Sequence, residues 1–535
     1  MSEKEAVLSA EMAALPGFGP VGRLERIATL DIVRGFALFA ILLVNWTVNS
    51  RWDNDAWEGF SGMADQIAWW TMNIFLDEKA RPMFTFMFGL GFAIQMMRAE
   101  DRGVPFVATY ARRLAVLFVI GAAHDILTER DILWGYAIFG FLLLPLRKLN
   151  PKLLLVLALF WLLIPFTINA INARAGFLRF TDMLNARTEV TLEPAVLDSY
   201  VGEYELESRP YGIFVTRDGD ALFAQSPGFE GWGDFPLRLG AESPTEFFVR
   251  GGAAKASFVI ESTGAVTGIV WHEGGKDVPG RLVNRNTELI DDAARRRVAS
   301  RNPEHGIYAN GSFVEIVRFR AGLFWEKISA YATNYRRWLN PDFAVFLLGL
   351  YAGRGRIFHD IPAHLPLIRK VTWFGFAFGL ATIAFDYRGL LPVAAFSDEG
   401  ASYTTRLVRS LGGMLGAPAL GIAYVAALTL LLQRKVWTSR LSPLGAVGRM
   451  ALTNYLMQSV AFVLLYFSYG LGWFGQTGAF YGLLLATAVF GLQIVASQWW
   501  LQRYRFGPAE WLWRTLTYGK LQPMRIERAP NLGSA

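Results

Sequence analysis

The sequence predicts an all-α polytopic membrane protein of about ten transmembrane helices, interrupted by one inserted all-β extracytoplasmic domain, a barrel or sandwich. Three observations predict it. Of 535 residues, 53% are hydrophobic and only 18% charged, and mean hydropathy is +0.29, outside the range of an ordinary cytosolic protein. The apolar residues gather into about ten runs near the roughly 20 residues that a bilayer-crossing helix needs. One long polar stretch separates the fifth run from the sixth, and inside it apolar and polar residues alternate with period two.

Residues 1–22 are small and polar with no apolar run, which argues against a secretory signal and for a flexible cytoplasmic tail. A first bundle segment, 23–186, carries runs at 32–48, 80–97, 111–127, 132–146 and 153–171. A second, 341–502, carries runs at 341–352, 371–385, 411–432, 451–471 and 479–500. Lys and Arg occupy alternate short connections, among them Arg23, Arg26, Arg98, Arg102, Arg147, Lys148, Arg354, Arg434, Lys435 and Arg503. By the positive-inside rule that side is cytoplasmic, so both termini are expected in the cytoplasm, with the inserted domain on the opposite side, in a periplasm. The net charge of +7 is then an orientation signal, and no nucleic-acid partner is expected. The absence of cysteine excludes disulfides, thiolate metal sites and a cysteine nucleophile.

Within 187–287, short alternating runs at 200–208, 212–217, 221–225, 236–239, 246–250, 256–261 and 266–272 are separated by Asp218-Gly219, Gly251-Gly252 and Thr263-Gly264 turns. Seven or eight evenly spaced strands predict a small barrel or sandwich. A connector, 288–340, leads back to the bundle, and 503–535 reads as an interfacial helix and tail, with Pro508 at a helix start and Glu510 one turn before Arg514.

Ionisable groups inside spans are costly and by default mark function. Asp31 and Arg34 stand one turn apart, and Asn45, eleven residues on, returns to their face after close to three turns. Arg81, His124 and Asp131 fall near the outer ends of their runs, whereas Arg112 and the pair Asn454 and Gln458, flanking Tyr455, fall near the inner side. His124 is the only histidine in a predicted span, and imidazole exchanges protons near neutral pH. Asp125 and Asp131 are placed to orient it. No histidine spacing suits a metal.

The stretches Arg26 to Asn45, Arg81 with Phe84 and Phe88-Gly89, Gly121 with His124, Asp131-Ile132-Leu133 with Tyr136, Gly311-Ser312-Phe313 with Arg320, Gly448 to Ser459 and Phe506 to Arg514 together resemble the YeiB-like family of bacterial inner-membrane proteins, a domain of unknown function. Val201-Gly202-Glu203-Tyr204 through Gly264-Ala265-Val266-Thr267-Gly268 resembles the lipocalin-like accessory domain of serine β-lactamase-like hydrolases. The chain has no Ser-x-x-Lys nucleophile, so that activity does not carry over. Leu30-Asp31-x-x-Arg34-Gly35 is similar to the opening of two families of transmembrane acyltransferases. In one, a histidine stands where this chain has Asn45; in the other, where it has Asn54.

That resemblance implies an acyl or related group transferase with an acyl donor as its bound group. Arg34 and Arg112 would attract an anionic donor, His124 and Asp131 would be catalytic, and Asp31, Asn45, Arg81, Asn454, Tyr455, Gln458, Glu510 and Arg514 would bind the ligand. The alternative is a transporter or a lipid- or cofactor-binding protein without catalysis. A third reading makes the β domain a contact surface for a partner. Membrane lipid, a small-molecule or lipid-like ligand and a second copy of the chain are the expected partners.

Overall fold

A computed structural model of the chain describes residues 27–49, 62–128, 131–164, 167–168, 171, 189–207, 212–225, 237–249, 254–273, 276–285, 303–333, 341–386, 412–474 and 476–526. The element order is mostly helical with one inserted β domain. The helices are α1 Ala28–Asn49, α2 Met63–Phe75, α3 Ala80–Asp101, α4 Phe106–Thr128, α5 Leu133–Leu146 and α6 Pro151–Ile164 before the insertion. A short α7, Pro194–Tyr200, leads into it. After it come α8 Pro303–Asn310, α9 Phe313–Thr333, α10 Pro341–Arg354, α11 Ile361–Asp386, α12 Ala417–Leu431, α13 Lys435–Arg449, α14 Ala451–Tyr466, α15 Ala479–Leu501 and α16 Pro508–Tyr518.

Among the described residues four helical stretches are long and apolar enough to cross a membrane: Ala28–Trp46, Phe106–Thr128, Met414–Leu431 and Ala479–Leu501. Three more apolar helices, α5, α6 and α14, fall short of that length. The expected run at 451–471 is cut because Phe467 turns extended and the chain folds back, Phe474 N–H donating to Tyr466 O at 2.8 Å. Burial separates the spans by position: the α1 window is 61% buried, those of α4 and α15 only 28%. The first therefore threads the middle of the bundle, while the other two leave most of their surface uncovered by the rest of the protein.

Small residues let the central helices meet backbone to backbone. A methyl at Gly35 would collide with Leu444 O, and one at Gly448 with Asp31 O, so α1 and α13 cross in direct contact. In the same way Gly89 of α3 faces Phe346 O and Gly349 of α10 faces Phe86 O. Neither α13 nor α9 was expected, because Arg, Lys and Glu interrupt their apolar residues. Both are held by tertiary contacts.

The insertion is a closed barrel in which eight antiparallel strands pair in chain order and β8 returns to β1. Its strands are β1 Gly202–Leu206, β2 Gly212–Asp218, β3 Ala221–Gln225, β4 Leu237–Ala241, β5 Glu246–Val249, β6 Lys255–Ile260, β7 Val266–Glu273 and β8 Lys276–Asn284. Closure decides barrel over sandwich. The eighth strand is obscured in the sequence by Pro279-Gly280, yet Pro279 sits opposite Val270 in the ladder. Inward side chains fill the interior: Tyr204, Phe247, Phe258, Ile269 and Trp271 are all buried, as an eight-stranded barrel of this width requires. Tyr200 of α7 stacks on Phe258 at 4.3 Å.

Candidate functional site

A cavity of about 270 Å³ lies among α1, α3, α4, α5, α13, α14 and α16. Along α3 its wall runs from Phe84 to Arg102, about 27 Å at 1.5 Å per residue, close to the thickness of a bilayer core. Its two ends differ in chemistry. Toward one lie Arg98, Arg102, Arg113, Arg449, Arg514 and the Asp31–Arg34 pair; toward the other lie Phe84, Phe88, Leu117, Ile132, Leu133 and Tyr136. Among the described residues six arginines face this space against two carboxylates, Asp31 and Glu510. Such a lining favours an anion, and it does so strongly where water is scarce.

The α1–α13 crossing positions the first of these groups. Asp31 accepts from Arg34 Nη1 at 3.0 Å, as the one-turn spacing predicts, and Gly448 puts Arg449 beside them. Gly91 of α3 leaves room for the same guanidinium, with Arg34 Nη2 3.8 Å from where a β-carbon would stand. Arg112, expected to bind ligand, is exposed on the other side of α4, and the adjacent Arg113 lines the cavity instead. One residue is 100° of helix, enough to exchange an inward for an outward side chain. Arg113 lies 3.6 Å from the Trp513 ring centroid, and the Trp513 indole N–H donates to Arg113 O at 2.9 Å.

α16 closes that end. Glu510 Oε1 accepts the backbone N–H groups of Leu452 (2.6 Å) and Thr453 (3.1 Å), and Oε2 accepts the Thr453 hydroxyl at 2.6 Å. It therefore caps the start of α14 from another helix, where a carboxylate satisfies orphan donors and the helix dipole. Arg514 lies 4.5 Å from the Phe506 ring centroid. The i,i+4 spacing of Glu510 and Arg514 gave no sign of this cap.

At the other end Tyr455 is shared between the large cavity and a small one lined by Asn45, Thr128, Gln458 and Ser459. The polar stripe read along α1 is thus divided, Asp31 and Arg34 facing the first cavity and Asn45 the second. Asn54, the other position compared with the acyltransferases, lies outside the described residues. The Tyr455 ring lies 5.1 Å from that of His124. His124 is buried, its Nδ1 2.7 Å from Asp131 Oδ1 and its Nε2 3.3 Å from Thr128 Oγ1. Asp131 Oδ2 accepts the N–H groups of Leu133 (2.6 Å) and Trp134 (3.0 Å), so the residue that orients the imidazole also caps α5.

Behind this pair stand Asp125, expected beside His124, and Lys327, which the sequence reading missed. Asp125 Oδ1 accepts the Asp131 N–H at 3.0 Å, and Lys327 of α9 donates to both Asp125 oxygens at 3.0 and 3.1 Å. Arg320, fully buried on the same helix, donates to Leu127 O and lies over the rings of Tyr308 and Phe467. Only the tertiary fold brings α9 to the end of α4; 202 residues separate Lys327 from Asp125.

Other expected residues stand apart. Arg81 pairs with Asp342 at 3.1 Å, while Tyr136 Oη and Thr85 Oγ1 share a hydrogen bond of 2.7 Å and both lie within hydrogen-bond distance of Arg81 O. Asn454 and Gln458 join α14 to α15: Asn454 Nδ2 donates to Ser497 Oγ at 3.0 Å, Gln458 Nε2 to Gln493 Oε1 at 2.9 Å, and Gln493 Nε2 to Asn454 O at 2.9 Å. Of these two, Gln458 alone lines a cavity, the small one. No cluster of three metal-ligating side chains occurs among the described residues.

Residues 352–520 match the family model described as protein of unknown function (DUF418). The match covers about a third of the chain. The DUF418 region supplies Arg449, Tyr455, Glu510 and Arg514, one wall of the cavity. The chain is also YeiB-like: it is 43% identical to the uncharacterized protein YeiB of Escherichia coli (strain K12) over 74 residues, 14% of this chain and 19% of that one. It is 28% identical to the uncharacterized protein YxaH of Bacillus subtilis (strain 168) over 94% of this chain and 96% of the relative. It is 22% identical to an uncharacterized 39.9 kDa protein in the amylase 3' region of Bacillus acidopullulyticus, over 95% of this chain and 99% of the relative. That relative is about 20 kDa lighter than this chain of 59.8 kDa. No solved structure matches the chain.

Proposed function

We propose that the chain is a polytopic protein of a bacterial inner membrane, crossing it about ten times, which holds an anionic amphiphile in its arginine-lined cavity and transfers an acyl or related group from it. Arg34, Arg113 and their neighbours hold the charged end, and Phe84, Phe88 and Tyr136 flank the apolar part. Asp131 holds Nδ1 of His124, which leaves Nε2 to move a proton toward the small cavity where an acceptor would enter past Asn45 and Thr128. In this reading the arginine end faces the cytoplasm, both termini lie there, the barrel lies outside, and lipid surrounds the bundle. Arg113 takes the part expected of Arg112.

One observation carries the reading: a single cavity joins six arginines to an aromatic wall that ends at Tyr455, which packs on the His124–Asp131 pair. The test is mass spectrometry of small molecules extracted from the detergent-purified chain. An acidic amphiphile should accompany the wild type and be lost from the double variant Arg34→Ala, Arg113→Ala. If wild type and variant carry the same molecules, the cavity is not the binding site.

A second reading, binding without catalysis, is favoured by the contact between Thr128 Oγ1 and His124 Nε2. His124→Ala separates the two. Under transfer, the retained molecule shifts to an unreacted, acylated form in this variant; under simple binding its composition does not change.

A further inference from the structure

The barrel carries a second cluster, unconnected with the cavity. On its outer surface Ser257 Oγ stands 2.6 Å from His272 Nε2, and His272 Nδ1 stands 2.7 Å from Asp277 Oδ1. Three consecutive strands supply them. Asp277 of β8 is directly opposite His272 of β7, and Ser257 of β6 is its diagonal neighbour, two residues from Lys255, which pairs with His272 in the ladder. Cross-strand and diagonal neighbours fall within side-chain reach, so the ladder itself sets the alignment. The cluster sits where β7 ends and β8 begins, at the barrel end opposite the start of β1 and the end of β8, where the chain enters and leaves. The His272 and Asp277 side chains are 31% and 74% exposed.

We propose that Ser257, His272 and Asp277 form a nucleophilic centre on the barrel that cleaves exposed esters. The order of groups is hydroxyl, imidazole nitrogen, second imidazole nitrogen, carboxylate, with both contacts at hydrogen-bond length, which is the arrangement that activates a serine. Ser257 Oγ attacks the ester carbonyl, and its proton passes to His272 Nε2. The carbonyl oxygen takes up the negative charge beside Lys255, the ammonium two residues along the same strand face. The ester C–O bond then breaks, Nε2–H protonates the departing alkoxide, and water releases the acyl group by the reverse sequence. Asp277 holds Nδ1–H and so fixes the tautomer that leaves Nε2 able to accept. With the barrel interior filled by side chains, the substrate is one whose ester projects from an open surface, a small ester or one borne on a polymer.

Glu246 gives this proposal a distinctive test. Its Oε2 lies 2.8 Å from Ser257 Oγ, directly across the β5–β6 ladder, and so competes with His272 for the single hydroxyl proton. Glu242, a further carboxylate beside this cluster, is engaged by Lys255 Nζ at 2.8 Å. Glu246→Gln weakens the competing acceptor and should speed reaction at Ser257, whereas His272→Ala and Asp277→Asn should slow it.

The full chain in detergent is treated with an alkyl fluorophosphonate, and the modified peptide is read by mass spectrometry. Expected is a phosphonyl adduct on Ser257, formed about a hundredfold or more slowly in His272→Ala, slowed in Asp277→Asn, and faster in Glu246→Gln. Hydrogen–deuterium exchange of the peptide spanning residues 212–225 reports that each variant barrel is folded, and Asp277→Asn keeps the test open if His272→Ala unfolds. An unmodified Ser257 in a folded wild-type barrel overturns the proposal, as does an adduct rate unchanged in Asp277→Asn or lowered in Glu246→Gln. His124→Ala leaves the adduct rate unchanged, so failure here is distinct from failure of the cavity reading.

Discussion

Replacing Asp131 by Ala removes three contacts from one fully buried side chain: His124 Nδ1 at 2.7 Å and the N–H groups of Leu133 and Trp134 at 2.6 and 3.0 Å. Losing a helix N-cap costs about 1 kcal/mol, and stranding the buried imidazole N–H costs about 1–3 kcal/mol more. The sum, about 2–4 kcal/mol, falls on the first turn of α5 and the last turn of α4. Asp131→Asn keeps one oxygen for the two backbone donors and loses only the charge-assisted bond to His124, so its cost should be about half as large. Hydrogen–deuterium exchange of the peptide spanning residues 131–136, in detergent, reads this directly. Exchange should accelerate by roughly thirtyfold or more in Asp131→Ala, since each 1.4 kcal/mol is tenfold, and less in Asp131→Asn. If Asp131→Ala exchanges within about threefold of wild type, the carboxylate is not holding the turn, and the orientation of His124 must come from elsewhere.

Three other outcomes follow from the same geometry. Glu510→Ala leaves the Leu452 and Thr453 N–H groups without their acceptor and should cost about 1–2 kcal/mol at the start of α14, seen as faster limited proteolysis near residue 450. Lys327→Met uncovers the charge of buried Asp125 and should raise carbethoxylation of His124 several-fold; equal modification in wild type and variant would show that α9 does not secure this end of α4. Glu315 is held below the usual carboxylate range because the Ser312 backbone N–H, and then its hydroxyl, donate to it. Its contribution to the α9 start is therefore present above the ordinary glutamate value near 4.5 and lost as pH falls through the depressed value. Protection of the 312–318 amides, taken relative to their intrinsic exchange rates at each pH, should fall over that acid range in wild type but not in Glu315→Gln.

Local chemistry was legible where it is a matter of spacing. The Asp31–Arg34 pair follows from one helical turn, the barrel strands from period-two runs between Gly-containing turns, and the association of His124 with Asp131 from their place at the junction of two apolar runs. Apolar runs gave positions of helices less well than their existence: α5 and α14 are shorter than their runs, and α13 and α9 lay hidden because charged residues interrupt their hydrophobicity. Arg113 rather than Arg112 lines the cavity, since hydropathy locates a helix along the chain but its rotation is fixed only through packing, here the cation–π contact of Arg113 with Trp513.

Composition and hydropathy by themselves determined that this is a mainly helical, membrane-type chain with one β insertion, because burying apolar surface and satisfying backbone donors depend on local pattern. The cavity was decided by tertiary structure alone. It needs α1 and α13 to touch at Gly35 and Gly448 and α16 to cap α14 from a distance in sequence; the support behind His124 and Asp131 in turn needs Lys327 to reach Asp125 across 202 residues. Likewise, the Ser257–His272–Asp277 alignment exists only once three strands pair in register. Those are contacts between segments whose local sequences carry no record of one another, so only the packed fold brings their side chains together.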